Sequence, residues 1–367
     1  MSYFQSISLT NYRNFFDTNF YFDKGCNIII GKNGSGKTNI LESISLFEKG
    51  RGFRKDNIQN LINYQTNEKF FKISSIFNNN NNEIFVSVFS HNINEKYLKK
   101  ILVNESSELN SIKYFGNLLS IIHFLPEMER LFVASPIMRR NFLDRLIYTN
   151  DKNYSLLISN YKKTLYARQQ VLKKINYDEE WIANLEKNIA SFGSTIYKKR
   201  IDYIDTINLK LKKLDVLKNY SNNIAIKIKD KFLLANKEII NDKERYIAVL
   251  NNNRKLDLLA GGCTIGPHRS DIIGYSIDNN IGINQFSTGQ QKTVVLLIIL
   301  AQCKFLIEDH NLKPIILLDE VCSHLDSDNR ELLLHLTQLL DVQIFMTGTE
   351  KNFFSFLSTK AQYCNIT

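Results

Sequence analysis

At 367 residues, with 44% hydrophobic, 11% aromatic and 23% charged residues, the chain has the composition of a globular protein, which excludes disordered, collagen-like and disulfide-scaffold classes. At ~100 to 200 residues per domain, two or three domains are expected. The longest apolar run, Val294 to Ala301, is far short of the ~20 residues of a membrane helix, so no membrane partner is expected. The first residues lack a basic stretch leading into an apolar one, which predicts no secretory signal and a cytoplasmic protein.

Cys26, Cys263, Cys303, Cys322 and Cys364 are scattered and never spaced C-x-x-C. They predict reduced, mostly buried thiols rather than a disulfide framework or zinc ribbon. The six histidines are equally dispersed and form no metal cage. The C-terminal Cys364 to Thr367 mimics a prenylation box only by chance, because Asn is not aliphatic.

The formal net charge is +10, and its location tells more than its size. From Asp151 to Lys255 there are 22 Lys and Arg against 12 Asp and Glu, whereas the rest of the chain has 25 against 25. A localised basic field suits a polyanion, either nucleic acid or an anionic membrane surface. A solvated helical surface in a chain rich in Asn, Lys and Ile is the plainer reading.

In chain order, aromatic and β-branched residues of the first 30 positions, broken at Asn11-Tyr12-Arg13-Asn14 and Asp23-Lys24-Gly25, predict three strands. Phe71 to Phe77 and Ile84 to Phe89 read as further strands flanking a hairpin loop at Asn78 to Asn82. Ser135 followed by Pro136 is an N-cap with a first-turn proline, so a helix starts there. Between Asn150 and Lys218 there is no proline and only Gly193, with apolar residues at threes and fours. Two amphipathic helices joined near Asn176 to Glu180, forming an antiparallel arm, account for this spacing. Gly261-Gly262 marks a return to strands, with Asp271 to Ile277 alternating.

Gly31-Lys32-Asn33-Gly34-Ser35-Gly36-Lys37-Thr38 matches G-x-x-x-x-G-K-[ST] and follows an apolar run, as a P-loop requires. Its glycines let backbone N–H groups close on phosphate oxygens, and the next helix presents its positive end to the same anion. Lys37 is expected on the β- and γ-phosphates and Thr38 on Mg²⁺. The strand Pro314 to Leu318 ends in Asp319 and Glu320. Asp319 reads as the Mg²⁺ partner, and Glu320 as the catalytic carboxylate that polarises water, which favours hydrolysis over simple holding. Ser287-Thr288-Gly289-Gln290-Gln291 opens an apolar helix 32 residues before Asp319.

The order of P-loop, S-x-G-Q-Q, Asp319-Glu320 and Ser323-His324-Leu325-Asp326 resembles the ABC-type ATPase head. The resemblance implies that Ser287, Gly289 and Gln290 of one subunit seal the γ-phosphate of ATP on another, with Asp326 in the D-loop. Within that group the chain resembles the RecF family of bacterial recombination mediators nearly end to end. The matching stretches are Leu9 to Phe15, Leu125-Pro126-Glu127, Ser135-Pro136 with Arg139 to Asp144, and Gly266 to Asp271.

That resemblance implies an α/β ABC-type P-loop ATPase head with a mixed sheet, interrupted by a helical, coiled-coil-like lobe. The expected division is 1–115 for the first part of the head, 116–255 for the basic arm and 256–367 for the rest of the head. It also implies a DNA-stimulated ATPase, with ATP and Mg²⁺ as cofactors, that uses hydrolysis as a switch. The partners implied are double- and single-stranded DNA at gaps and junctions, RecR, RecO and RecA, and a second copy in an ATP-dependent homodimer. Roles in repair, recombination, replication and the SOS response come with the same resemblance.

Some residues depart from pattern. Ser270 stands where the family commonly has a second acid, which removes a local ion pair. Thr347 follows the last strand where transporters have a switch His, and RecF-like chains also carry Thr here. No glutamine lies near His123 to Glu127 for a Q-loop. His268 and Arg269 read as turn surface or as a DNA or interface contact. Lys198-Lys199-Arg200 is the first basic cluster expected to touch DNA, with Arg139, Arg140 and Arg269 behind it. A membrane-transporter ATPase subunit is the competing reading, and it gains nothing from a basic arm. An SMC or Rad50 structural head would need a longer insert.

Overall fold

The structure, a computed structural model, describes residues 2–80, 82–93, 96–174, 176–221, 223–322, 326–338, 340–357 and 361–366. The chain opens with β1 (Ser2–Tyr12), β2 (Phe15–Tyr21), β3 (Cys26–Gly31) and α1 (Lys37–Ser45). A meander of β4 (Lys72–Asn79), β5 (Asn82–Ile93) and β6 (Lys96–Val103) leads to α2 (Leu109–Leu118) and β7 (Ile121–Phe124). A helical stretch follows: α3 (Pro136–Asn150), α4 (Tyr154–Leu172), α5 (Glu179–Lys212), α6 (Lys218–Ser221), β8 (Ile224–Lys229), α7 (Lys231–Ala235), α8 (Lys243–Asn252), α9 (Arg254–Leu259) and β9 (Asp271–Ser276). The last part is α10 (Thr288–His310), β10 (Ile315–Leu318), α11 (Ser327–Gln338), β11 (Ile344–Gly348) and β12 (Gln362–Ile366).

Two compact units result, one of Met1–Glu129, Asp215–Leu217 and Thr288–Thr367, the other of Arg130–Leu214 and Lys218–Ser287. These bounds lie beyond the 115/116 and 255/256 divisions read from the sequence. β7 pairs parallel with β10 and so stays with the first unit, whereas β9 pairs antiparallel with β8 inside the second. The strand after Gly261 therefore belongs to the helical unit, and after the short Asp215–Leu217 stretch the chain returns to the first unit at α10.

In the first unit an antiparallel sheet, β2-β1-β4-β5-β6, shares a core with a parallel sheet, β12-β3-β11-β10-β7. The parallel sheet takes β3 and β7 from before the helical stretch and β10, β11 and β12 from after it, so the head is built from both parts of the chain. Its strand β10 is apolar on both faces, Ile315 to Leu318 being wholly buried, as a strand between two parallel neighbours must be. Gln343 ties the sheets together: its side chain takes both the N–H and the C=O of Phe4 at 2.8 Å, where the β1–β4 register shifts between Phe4 and Ser6. Both backbone polar groups of Phe4 are thereby satisfied in the interior. α10 is buried along most of its length, which explains its apolar surface all round.

The Asn78 to Asn82 tract is mostly strand rather than loop. Pairing continues to Asn79↔Asn82, and Asn80 turns with φ 49°, a left-handed conformation that Asn tolerates. β6, not separately legible in the sequence, pairs along β5.

In the second unit, Ser135 caps α3 by accepting from the Met138 N–H, with Pro136 in the first turn as expected. Asp178 caps α5, accepting from the N–H groups of Glu180 and Trp181 at 2.9 and 3.1 Å. α4 and α5 run antiparallel, Arg168 of α4 meeting Glu186 of α5 while Tyr154, at the start of α4, lies on the Asp144–Arg200 pair. Their core includes Tyr161, Ile189, Ile196, Tyr197, Tyr246 and Leu250. Arg168 is enclosed there and held by Glu186 at 2.9 Å, Asp257 at 2.6 Å and the Leu250 carbonyl at 2.8 Å. Every donor that points inward thus has an acceptor, as a buried guanidinium requires.

The arginines of the basic stretch are largely committed to such pairs, which corrects part of the expected DNA surface. Arg200 is buried, with Asp144 at 2.9 Å and hydrogen bonds to the Pro267 carbonyl and the Ser270 hydroxyl. Arg139 is held by Asp271 and Arg140 by the Ser270 carbonyl. Ser270 joins this network through hydrogen bonds rather than through an ion pair. His268 is clamped between the Tyr161 hydroxyl and the Cys263 carbonyl, both at 2.9 Å. Lys162, Lys163, Lys198 and Arg269 remain exposed. Four cysteines are buried and Cys364 is half-buried, all with free thiols. Among the described residues, no helix is long and apolar enough to cross a membrane.

Candidate nucleotide-binding site

β3 delivers the P-loop at the end of a parallel strand, and α1 begins at Lys37. Gly34 and Gly36 have φ of 83° and 104°, the left-handed region that glycine enters freely. A Cβ on Gly36 would lie 2.6 Å from the Asn14 amide, and one on Gly31 would lie 2.7 Å from the Ile366 carbonyl, so both positions exclude a side chain. α1 has no side-chain cap and no acid in its first turn. Its leading N–H groups are thus left for an anion.

Lys37 is buried, and its Nζ donates to the carbonyls of Gly31 at 2.8 Å and Lys32 at 2.9 Å. The ammonium is poised over the loop on bonds it can exchange for phosphate oxygens. Ser35 Oγ is buried without a partner. An unmade bond of that kind costs ~1 to 3 kcal/mol, and a phosphate oxygen in the loop would supply it. These residues therefore fit a nucleoside phosphate chain. Lys32 and Asn33 are exposed on the loop.

Across the sheet, Leu318↔Met346 pairing of β10 with β11 sets residue 319 beside residue 347. Asp319 Oδ1 accepts from Thr38 Oγ1 at 3.1 Å and from Thr347 Oγ1 at 2.7 Å. Its own N–H donates to the Phe124 carbonyl of β7 at 2.9 Å. Thr38 and Asp319, 281 positions apart in the chain, thus form a hydroxyl–carboxylate pair beside the P-loop. Such a pair suits a hard cation that keeps most of its waters, as Mg²⁺ does. Among the described residues, no group of three or more His, Cys, Asp or Glu could hold a metal. Glu320 is exposed, with φ 50°, and its N–H donates to Thr347 Oγ1 at 2.8 Å.

Of the other expected residues, Gly289 and Asp326 lie together. A Cβ on Gly289 would lie 3.1 Å from Asp326 Oδ2, and Asp326 Oδ1 caps α11 by accepting from the Asn329 N–H at 2.8 Å. Thr293 Oγ1 reaches the Gly289 carbonyl at 3.0 Å, fastening the first turn of α10. Ser287, Thr288 and Gln290 are exposed, and Ser323, His324 and Leu325 lie outside the described residues. After β7 come Leu125-Pro126-Glu127, and no glutamine stands there.

Asn14, not singled out as a site residue from sequence, braces the P-loop. It donates to the Ser35 carbonyl at 2.9 Å and accepts from Asn39 Nδ2 at 2.8 Å. Only its place in the Leu9 to Phe15 stretch hinted at this. Thr347 is the other residue whose role the linear sequence hid.

A parallel sheet with a P-loop on β3, an acid pair after β10 and a helical unit inserted between them defines an ABC-type head. The family model described as "RecF/RecN/SMC N terminal domain" matches residues 3–364. The chain belongs to the RecF family. It is 30% identical to the DNA replication and repair protein RecF of Rickettsia typhi, over 98% of each chain. To the protein of the same name from Rickettsia peacockii it is 32% identical, again over 98% of each. A solved structure of the recombination mediator protein RecF-ATPrS in the RecFOR pathway superposes with a TM-score of 0.83 at 27% identity, covering 99% of this chain and 96% of that one. An Smc head domain from Pyrococcus furiosus, at 17% identity and a TM-score of 0.52, covering 97% and 92%, shares the fold.

Proposed function

We propose that this chain is an ATP-binding and ATP-hydrolysing repair mediator that acts on DNA in the RecFOR route. The observation that carries the reading is the junction of Lys37, Thr38 and Asp319 in one cluster, with the unpartnered Ser35 hydroxyl inside the loop. Its relatives support it, since they are DNA replication and repair proteins, and one solved relative is the recombination mediator protein RecF-ATP.

In this reading, backbone N–H groups of Gly34, Ser35 and Gly36 hold the phosphates and Lys37 carries the compensating charge. Thr38 and Asp319 are the residues that would hold Mg²⁺, which would neutralise the phosphate oxygens. Glu320, with its carboxylate free in solvent, polarises the attacking water. Ser287, Gly289 and Gln290 at the start of α10, with Asp326, are the surface for a second copy, so ATP draws two chains together. The exposed lysines of the second unit supply the electrostatic attraction for DNA at gaps and junctions. RecR, RecO and RecA are the partners, and the link to replication and the SOS response follows from that route.

The test is steady-state ATP hydrolysis with and without double-stranded DNA, alongside sizing with ATP. Hydrolysis that DNA stimulates, in a species twice the monomer mass, is the expected result. A chain that binds no ATP, or that stays monomeric with ATP bound, would overturn the reading.

A further inference from the structure

Thr347 does not follow the last strand, as the sequence led one to expect, but lies within β11 with β12 still to come, and its side chain is fully buried. It makes two contacts of different kinds. The hydroxyl donates to Asp319 Oδ1 at 2.7 Å and accepts from the Glu320 N–H at 2.8 Å. One hydroxyl thus grips both the acid that faces Thr38 and the backbone of the acid that follows it.

Both grips matter physically. Asp319 is buried, and its Oδ1 takes hydrogen bonds from two hydroxyls, Thr38 and Thr347. Thr38 and Asp319 would hold a cation, whereas Thr347 donates to the carboxylate from within the sheet and would keep its orientation fixed. Glu320 has φ 50°, a left-handed backbone that a residue with a long side chain rarely adopts. Such a conformation persists only where its surroundings impose it, and the bond from its N–H to Thr347 is the imposing contact.

We propose that Thr347 is a positioning residue of the nucleotide site, which sets the Asp319 carboxylate for the metal and the Glu320 backbone for hydrolysis. The parallel register of β11 beside β10 is what makes this possible, because Met346 pairs with Leu318 and the next residue on each strand then faces the other. The inference rests on the ATPase reading above and assigns to the hydroxyl what that reading leaves unassigned: the coupling of metal binding to the hydrolytic acid.

Thr347→Val keeps the shape and removes the hydroxyl, and Thr347→Ser keeps the hydroxyl. The readouts are affinity for a fluorescent ATP analogue in EDTA, the Mg²⁺ concentration that gives half-maximal tightening of that binding, kcat, and the thermal midpoint. For Thr347→Val, affinity in EDTA should stay within about twofold, while the Mg²⁺ requirement and the loss in kcat should each be about tenfold to hundredfold, the range for a hydrogen bond to a charged group. Thr347→Ser should restore both. If valine disturbs the packing, seen as a lowered thermal midpoint, Thr347→Ala at a temperature where it is folded gives the same comparison. An unchanged Mg²⁺ requirement in folded Val and Ala variants overturns the inference, and so does equal loss in the Ser variant. Failure of the wild-type chain to bind the analogue at all would instead strike the ATPase reading itself, and the inference with it.

Discussion

The Arg200 guanidinium meets both carboxylate oxygens of Asp144 at 2.9 Å within the helical unit. Arg200 is almost wholly enclosed, and its remaining donors go to Pro267 and Ser270. This pair links α3 to α5 and the turn before β9. Arg200→Ala should therefore cost about 3 to 5 kcal/mol of stability, because the partner carboxylate is left without compensation. Urea unfolding followed by circular dichroism measures it. A loss below 1 kcal/mol would mean the pair is dispensable, and weakened DNA binding without a loss of stability would put Arg200 back on the DNA surface.

Lysines carry the DNA prediction instead. Lys162, Lys163 and Lys198 are exposed, and replacing all three by alanine should flatten the plot of log affinity against log salt by about 0.9 for each phosphate contact removed. Sequence preference should not change, since phosphate contacts carry no base information. Fluorescence anisotropy over a salt series, with and without ATP, reads the slope. An unchanged slope would clear these three residues.

Lys37→Ala and Glu320→Gln should separate binding from hydrolysis. The first removes the charge that bridges the loop carbonyls and should weaken ATP binding by on the order of a hundredfold or more. The second leaves the P-loop intact and should retain binding while hydrolysis falls by ~10² to 10⁴. Sizing with ATP should show the Glu320→Gln chain trapped as a dimer, and equal loss of binding in both variants would contradict the roles given to them.

Gly36→Ala tests the loop geometry. At φ 104°, with the Asn14 amide and the Phe15 ring within 3 Å of the added carbon, the substitution must open the Asn14–Ser35 bond or distort the loop. ATP binding should fall more than the thermal midpoint does. Differential scanning fluorimetry with and without ATP compares the two, and full retention of the ATP-induced shift would count against the cradle described.

His268 makes the second unit sensitive to acid. Burial pushes its pKa down to about 4, and the neighbouring Arg269 and Arg140 charges add to the effect. The unfolded imidazole takes up a proton near pH 6.5, whereas the folded one stays neutral until about pH 4. The unfolded state thus binds more protons between those values, so stability declines as pH falls from 6.5 to 4 and levels off below, by roughly 3 kcal/mol in all. His268→Gln should remove this slope when unfolding is compared at pH 7 and pH 4.5. A variant with the wild-type slope would assign the effect to other groups.

Much of the site was legible because it is local. The P-loop needs glycines at fixed offsets to admit a phosphate, and Pro314 to Leu318 needs apolar residues to cross the core before Asp319 and Glu320. The cap at Ser135, the first three strands and the two long helices are also short-range matters, decided within one or two turns of chain.

What the linear chain could not disclose depends on partners far away in sequence. Asp144 and Arg200 are 56 positions apart, and Thr38 and Asp319 are 281 apart. A net count of basic residues does not reveal which arginines a fold will enclose, so Arg139 and Arg200 looked like surface charge until the helices were packed. The pairing of β9 with β8 shifted a domain boundary for a similar reason, since a strand shows its periodicity but not its neighbour. Thr347 is the sharpest case: its hydroxyl matters only because parallel pairing of β10 with β11 sets it beside Asp319, and strand register is a property of the assembled sheet.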